Sequence, residues 1–187
     1  MAIRRILLYP EHSDVLTTEC EPVEEVDDEI RQLVDDLAET MYDAPGIGLA
    51  APQVGVTKRV TVIDVSDPDQ PGNDLQVLIN PEILEREGKI TWEEGCLSFP
   101  GLYGDVVRSE WVKVRATDRD GEAYEIEGDG LMAVALQHEI DHLDGVLFLE
   151  RMTPLKRRMA RKEYKKIRSQ MDSHPQEQEE ESASRVQ

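Results

Sequence analysis

The chain has 187 residues, with 21 Lys and Arg against 40 Asp and Glu and a net charge of −19 at pH 7. That length suits one domain with an adequate core, no stretch is long and apolar enough for a membrane span, and the run after Arg4-Arg5 is too short for a secretory signal. An acidic body excludes generic nucleic-acid binding and specific DNA recognition, and Cys20 and Cys96 are expected to be free thiols of a cytoplasmic protein.

The charge is unevenly spread. Residues 1–154 carry 12 basic and 34 acidic side chains, net −22; residues 155–171 carry 8 and 1, net +7; residues 172–187 carry 1 and 5, net −4. Arg outnumbers Lys, and an acidic, lysine-poor surface suits a high-salt cytoplasm, although solubility alone accounts for it equally well.

In chain order, a strand-like segment ends at Tyr9-Pro10, and a polar loop runs through Cys20 to Pro22, with Cys20 as a small buried filler. From Asp27 the pattern turns helical. Ile30, Leu33, Val34, Leu37 and Met41 fall on one face, and Asp28 and Glu29 in the first turn favour the helix dipole, which predicts a core-facing helix ending near Asp43-Ala44-Pro45-Gly46.

Next comes Gly46-Ile47-Gly48-Leu49-Ala50-Ala51-Pro52-Gln53, which superficially matches a dinucleotide-binding turn. Its context refutes that reading, because a helix precedes it and Pro52 would disrupt a helix behind it. It reads as a connector whose glycines allow close backbone approach, with Gln53 at its end.

Lys58 to Val65 is a predicted strand, Ser66 to Asp74 a turn-rich loop, and Gln76 to Asn80 a second strand stopped by Pro81. Ile83 to Trp92 is expected to be extended and to lead into Glu94-Gly95-Cys96-Leu97-Ser98. Trp111 to Thr117 and Ala123 to Glu127 form a predicted hairpin with Asp120-Gly121 at its tip.

Leu131 to His142 then combines a helical apolar period with an HExxH motif, between an N-cap at Asp129 and a C-terminal stop at Gly145. His138 and His142 lie one turn apart on one face, where both imidazoles can grip a metal ion with Glu139 beside them. Leu131, Val134 and Ala135 extend that face toward the N-terminus, which suggests an apolar pocket next to the metal. Val146 to Leu149 reads as a brief strand or a buried extended piece. Thr153-Pro154 opens a basic helix from Leu155 to about Met171, and residues 172–187 are expected to be a disordered acidic tail.

A catalytic site needs a third protein ligand and one open position. Cys96, in a Gly-containing turn, is the stronger candidate and Glu150 the other; spacing alone does not choose between them. The elements together predict an α+β fold, a single compact domain with mixed or antiparallel sheets around a central metal-binding helix and with a C-terminal helix. Residues 1–171 would be the catalytic domain, 155–171 its basic helix.

Three separated motifs, Gly46 to Gln53, Glu94 to Ser98 and Gln137 to His142, occur in an order and at separations that resemble peptide deformylases over residues 3–170. The resemblance implies that Cys96, His138 and His142 bind a divalent metal, Fe2+ foremost, with Zn2+, Ni2+ or Co2+ as alternatives. It implies removal of the formyl group from formyl-methionyl nascent peptides by water activated at the metal, with Glu139 as general base and acid and with the Gln53 side chain and Leu97 N–H stabilising the oxyanion. By the same resemblance Gly48 bonds the peptide backbone, while Ile47, Leu131, Val134 and Ala135 line the methionine pocket. Tyr103 stands where some relatives carry Arg, and the basic helix 155–171 is an expected contact to the ribosome. An HExxH metallopeptidase and a non-catalytic metal-stabilised module are the competing readings. The first needs a downstream third ligand, the second a fourth protein ligand.

Overall fold

The computed structural model describes residues 2–66, 72 and 74–173. In chain order the regular elements are α1 (Ser13–Leu16), α2 (Asp28–Asp43), β1 (Gly48–Ala50), β2 (Val60–Ile63), β3 (Gln76–Glu87), β4 (Ile90–Gly95), β5 (Tyr103–Arg108), β6 (Trp111–Thr117), β7 (Ala123–Asp129), α3 (Gly130–Leu143) and α4 (Pro154–Ser173), with 3-10 helices at Ala51–Val54 and Phe148–Arg151.

The apolar period of α2 does what its spacing predicts. Leu33, Val34, Leu37 and Met41 are buried against β1 and β2, and the Asp27 side chain accepts from the Ile30 N–H at 2.9 Å, capping the helix start. Burial of each such side chain contributes about 1.5–3 kcal/mol.

Five strands form one antiparallel sheet in the order β1-β2-β3-β6-β7, and β4 and β5 form a separate antiparallel pair. Helix α3 lies between them. Ala133, Ala135, Leu136 and Ile140 pack on Ile63, Leu78, Val112 and Val114 of the large sheet. Phe99, Leu102, Val106, Phe148 and Leu149 form a second core together with Ala160 and Tyr164 of α4. Every residue of α3 from Ala133 to Leu143 is buried, so the metal motif sits inside the domain rather than on its surface. The fold is α+β, a single compact domain around a central helix, as expected.

Several local expectations are corrected. The opening segment is not a strand: its backbone bonds run to loops, Leu7 N–H to Gln53 O at 2.7 Å and Tyr9 N–H to Ser98 O at 3.0 Å. The short α1 lies within the stretch expected to be loop. The Gly-rich connector contains β1, and Pro52 sits in the first turn of a 3-10 helix, where its missing N–H costs no internal bond.

Pro81 does not stop the second strand. β3 continues through it to Glu87 because the register shifts between Ile79 and Glu82, and a proline at such an irregularity owes no ladder bond. Asn80 there has φ +51, and its side chain accepts from Val23 N–H at 2.8 Å and donates to Val23 O at 2.7 Å.

β5 was not predicted, because its inward residues include Arg108 and its outward ones Val107, the reverse of the usual alternation. Val146 to Leu149 is not a strand; the chain instead forms the 3-10 helix at Phe148–Arg151.

At the end of α3, Gly145 takes φ +70, and a Cβ there would stand 2.6 Å from Thr17 O, so both conformation and space call for glycine. Asp129 occupies the expected N-cap position of α3 but makes no side-chain cap bond. Asp172 and Ser173 belong to α4; the rest of the expected acidic tail, 174–187, lies outside the described residues. Among the described residues no helix is long and apolar enough to cross a membrane.

Candidate metal centre and catalytic cavity

Helix α3 delivers His138 and His142 from one face, and the turn after β4 delivers Cys96. Their ligand atoms all lie within 4.8 Å of one another, and Cys96 Sγ stands 3.3 Å from His142 Nε2. Around a tetrahedral ion with bonds of about 2.3 Å to sulfur and about 2.05 Å to nitrogen, the two donors would be about 3.6 Å apart, so the set fits a single divalent metal with little adjustment. Glu150, the alternative third ligand, is instead paired with Arg157 and Arg161 on the surface.

The ring of His138 is oriented by a buried carboxylate. Its Nδ1 lies 2.8 Å from Glu94 Oε2, which leaves Nε2 free for a metal. Glu94 is in turn gripped by Arg108, with Nε to Oε1 at 2.7 Å and Nη2 to Oε2 at 3.0 Å, and Arg108 also donates to Asp141. Asp141 accepts two further bonds from Arg151, at 3.0 and 2.6 Å. None of Glu94, Arg108, Asp141 and Arg151 was anticipated in this role. His142 Nδ1 is buried without a hydrogen-bond partner among the described residues, so packing holds that ring.

Taken by themselves, the protein groups drive the two rings apart. Burial presses His138 toward its neutral form, but Cys96 and Glu94 outweigh it and raise its pKa well above the ordinary value. His142 is held well below it by burial and by the positive charges of His138 and Arg108. A metal ion therefore competes with a proton for the His138 ring.

Glu139 is buried, and burial pushes its carboxyl up to about 7, against the opposing pull of His138 and Thr61. Thr61 Oγ1 donates to Glu139 Oε2 at 3.3 Å. Gln53 is fixed from both ends: Ala50 N–H donates to its Oε1 at 2.9 Å, and its Nε2 donates to Ser98 Oγ at 3.1 Å and points toward Cys96 Sγ at 3.6 Å. The 3-10 helix that follows β1 is what sets Gln53 in this place.

A cavity of about 340 Å³ opens beside these groups. Ile47, Gly48, Gln53, Cys96, Leu97, Leu131, Val134, Ala135, His138 and Glu139 all contribute to its wall, so every proposed site residue except His142 borders it. Val134 and Ala135 are buried in its depth, whereas Ile47 is 43% exposed and Tyr103 64% exposed at its lip.

The chain matches a family model described as polypeptide deformylase over residues 3–158. It is 54% identical over 167 residues to a peptide deformylase of Alkalilimnicola ehrlichii, covering 89% of this chain and 92% of that one. It is 53% identical over 167 residues to a peptide deformylase of Acidobacterium capsulatum, covering 89% and 96%. The crystal structure of a peptide deformylase from Legionella pneumophila superposes with a TM-score of 0.84 at 47% identity over 91% of this chain and 98% of that chain. One from Synechococcus elongatus, in complex with actinonin, gives 0.78 at 42% identity over 84% and 85%.

Proposed function

Since the chain belongs to the polypeptide deformylase family, we propose that it hydrolyses the N-terminal formyl amide of formyl-methionyl nascent peptides, releasing formate, at the cavity walled by Cys96 and His138. The observation that carries this reading is one juxtaposition: three candidate metal-ligand atoms lie within 4.8 Å of one another, and two of their residues, Cys96 and His138, share the wall of an apolar cavity with Glu139.

Cys96 Sγ and the Nε2 atoms of His138 and His142 would hold the divalent cation, which would supply Lewis acidity toward the formyl oxygen and make water easier to deprotonate. A thiolate with two imidazoles suits iron, zinc, cobalt and nickel, and Fe2+ is the ion the family resemblance implies. Glu139 takes the proton of the attacking water and returns it to the amide nitrogen as the C–N bond breaks, so that formate and a free amino terminus leave. The Gln53 Nε2–H and Leu97 N–H donate to the formyl oxygen as negative charge grows on it. Gly48 bonds the peptide backbone, and Ile47, Leu131, Val134 and Ala135 receive the methionine side chain.

The catalytic unit is assigned to residues 1–171, in the cytoplasm, where nascent chains emerge. Arg158, Lys162, Lys165 and Lys166 on α4 take part in no ion pair among the described residues, unlike Lys156, Arg157, Arg161 and Arg168. These four are the proposed contact to ribosomal RNA.

The test is formate release from a formyl-Met-Ala-Ser peptide by the metal-loaded protein. Release that depends on Glu139 supports the reading. Cleavage of internal peptide bonds without formate would overturn it in favour of a metallopeptidase.

A further inference from the structure

The groups behind the metal ligands form a continuous chain, His138–Glu94–Arg108–Asp141–Arg151, buried as far as Asp141. It joins elements distant in sequence. Glu94 lies near the end of β4, two residues before Cys96, Arg108 ends β5, Asp141 stands in α3 immediately before His142, and Arg151 closes the 3-10 helix beyond α3. Arg108 therefore ties the strand that carries Cys96 to the helix that carries both histidines. With its side chain only 4% exposed, it has the carboxylates of Glu94 and Asp141, at 3% and 8%, as its charge partners.

Asp141 is shared. One oxygen serves both Arg108 and Arg151, and the other serves Arg151 alone. Arg151 thus fixes Asp141 by two parallel bonds, and the fixed carboxylate sets the plane of the Arg108 guanidinium against Glu94. The two carboxylates of Glu94 and Asp141 face the two guanidinium groups of Arg108 and Arg151, so loss of Arg151 leaves a buried carboxylate short of a charge partner beside the ligand helix.

We propose that Asp141 and Arg151 are positioning residues for the metal site: acting through Arg108 and Glu94, they hold the His138 ring with Nε2 toward the ion and set the placement of Cys96 relative to the two histidines. The proposal rests on the assignment of Cys96, His138 and His142 as ligands. It singles out Arg151, which lies beyond the three recognition motifs and whose side chain is 46% exposed, so its replacement leaves the core intact.

The experiment measures Co2+ affinity by chelator competition and the visible absorption of the cobalt-loaded protein for wild type, Arg151→Met, Asp141→Asn and Arg151→Lys, with melting temperatures of the metal-free forms alongside. Disturbing such a supporting bond typically weakens metal binding about 10- to 100-fold. Arg151→Met is expected near the lower figure and Asp141→Asn near the upper, with shifted cobalt bands, and Arg151→Lys is expected to recover part of the loss. Should Asp141→Asn fail to fold, Arg151→Met decides alone. Affinity within twofold of wild type and an unchanged cobalt spectrum in Arg151→Met, whatever its melting temperature, would overturn the proposal. If wild type itself binds no cobalt, or Cys96→Ser binds it equally well, the ligand assignment fails instead.

Discussion

Gly48 and Glu139 press together so closely that a Cβ built on Gly48 would lie 2.4 Å from Glu139 Oε1 and 2.8 Å from its carboxyl carbon. The backbone of β1 therefore forms one wall of the slot that holds the general base. Gly48→Ala is expected to displace the carboxylate rather than unfold the strand, and a misplacement of about 1 Å costs on the order of 100-fold in turnover. Glu139→Gln, which keeps the shape and removes the proton carrier, should lose about two to four orders of magnitude. Both variants should keep a full complement of metal; loss of metal along with activity would show that Glu139 is a ligand.

Gln53 reaches the site as a donor whose oxygen is already occupied by Ala50 N–H. Gln53→Ala should reduce kcat by about 100- to 1000-fold, the loss expected when one oxyanion donor is removed, with a smaller change in KM. A rise in KM with kcat unchanged would place Gln53 in ground-state binding instead.

Val134 and Ala135 are each 4% exposed in the depth of the cavity. Replacing the formylated methionine by alanine leaves this apolar wall unfilled and should lower kcat/KM by the equivalent of about 1.5–3 kcal/mol. Equal rates on formyl-Met and formyl-Ala peptides would refute the pocket. Val134→Asp should harm both folding and selectivity by placing a charge on a buried face.

Removal of residues 155–187 is not a clean test of ribosome contact, because Ala160 and Tyr164 of α4 are buried in the core and Tyr164 donates to Tyr9 O at 2.9 Å. Reversing Arg158, Lys162, Lys165 and Lys166, which take part in no ion pair among the described residues, to Glu avoids that damage. The variant should hydrolyse short formyl peptides at the wild-type rate and bind ribosomes at least about tenfold more weakly, with a shallower salt dependence. Equal co-sedimentation would refute the contact; the host's own ionic strength is the condition to use, because screening at high salt can abolish it.

Asp64 anchors the chain after β2, accepting from Tyr42 Oη–H at 2.7 Å and from the Ser66 and Gly72 N–H groups at 2.9 and 2.8 Å. Burial opposes its ionisation, but these donors prevail and lower its pKa to about 2. A depressed folded-state pKa stabilises above the unfolded value and loses that contribution as pH falls toward 2. Tyr42→Phe should cost about 1.5–3 kcal/mol near neutrality, the range for a hydrogen bond to a charged group. The gap to wild type in urea melts should narrow between pH 4 and pH 2. A gap that stays constant across that window would assign the loss to packing.

Patterns local to a few turns were legible in the sequence: the apolar face and acidic first turn of α2, the one-turn spacing of His138 and His142, the β6–β7 hairpin and the basic start of α4. Each depends on the period of a single element or on a short turn, which neighbouring residues specify directly. Between Cys96 and Glu150 the spacing left the third ligand open, and only the packing of the β4 turn against α3 brought Cys96 Sγ to 3.3 Å from His142 Nε2. Tertiary structure also decided that β3 passes Pro81 and that the segment after Gly145 coils into a 3-10 helix, placing Arg151 on Asp141. The chain from His138 to Arg151 was invisible beforehand for a physical reason. In an acidic sequence a carboxylate or guanidinium reads as solvated surface, and only burial beside an opposite charge, contributed by a segment far along the chain, turns it into part of the site.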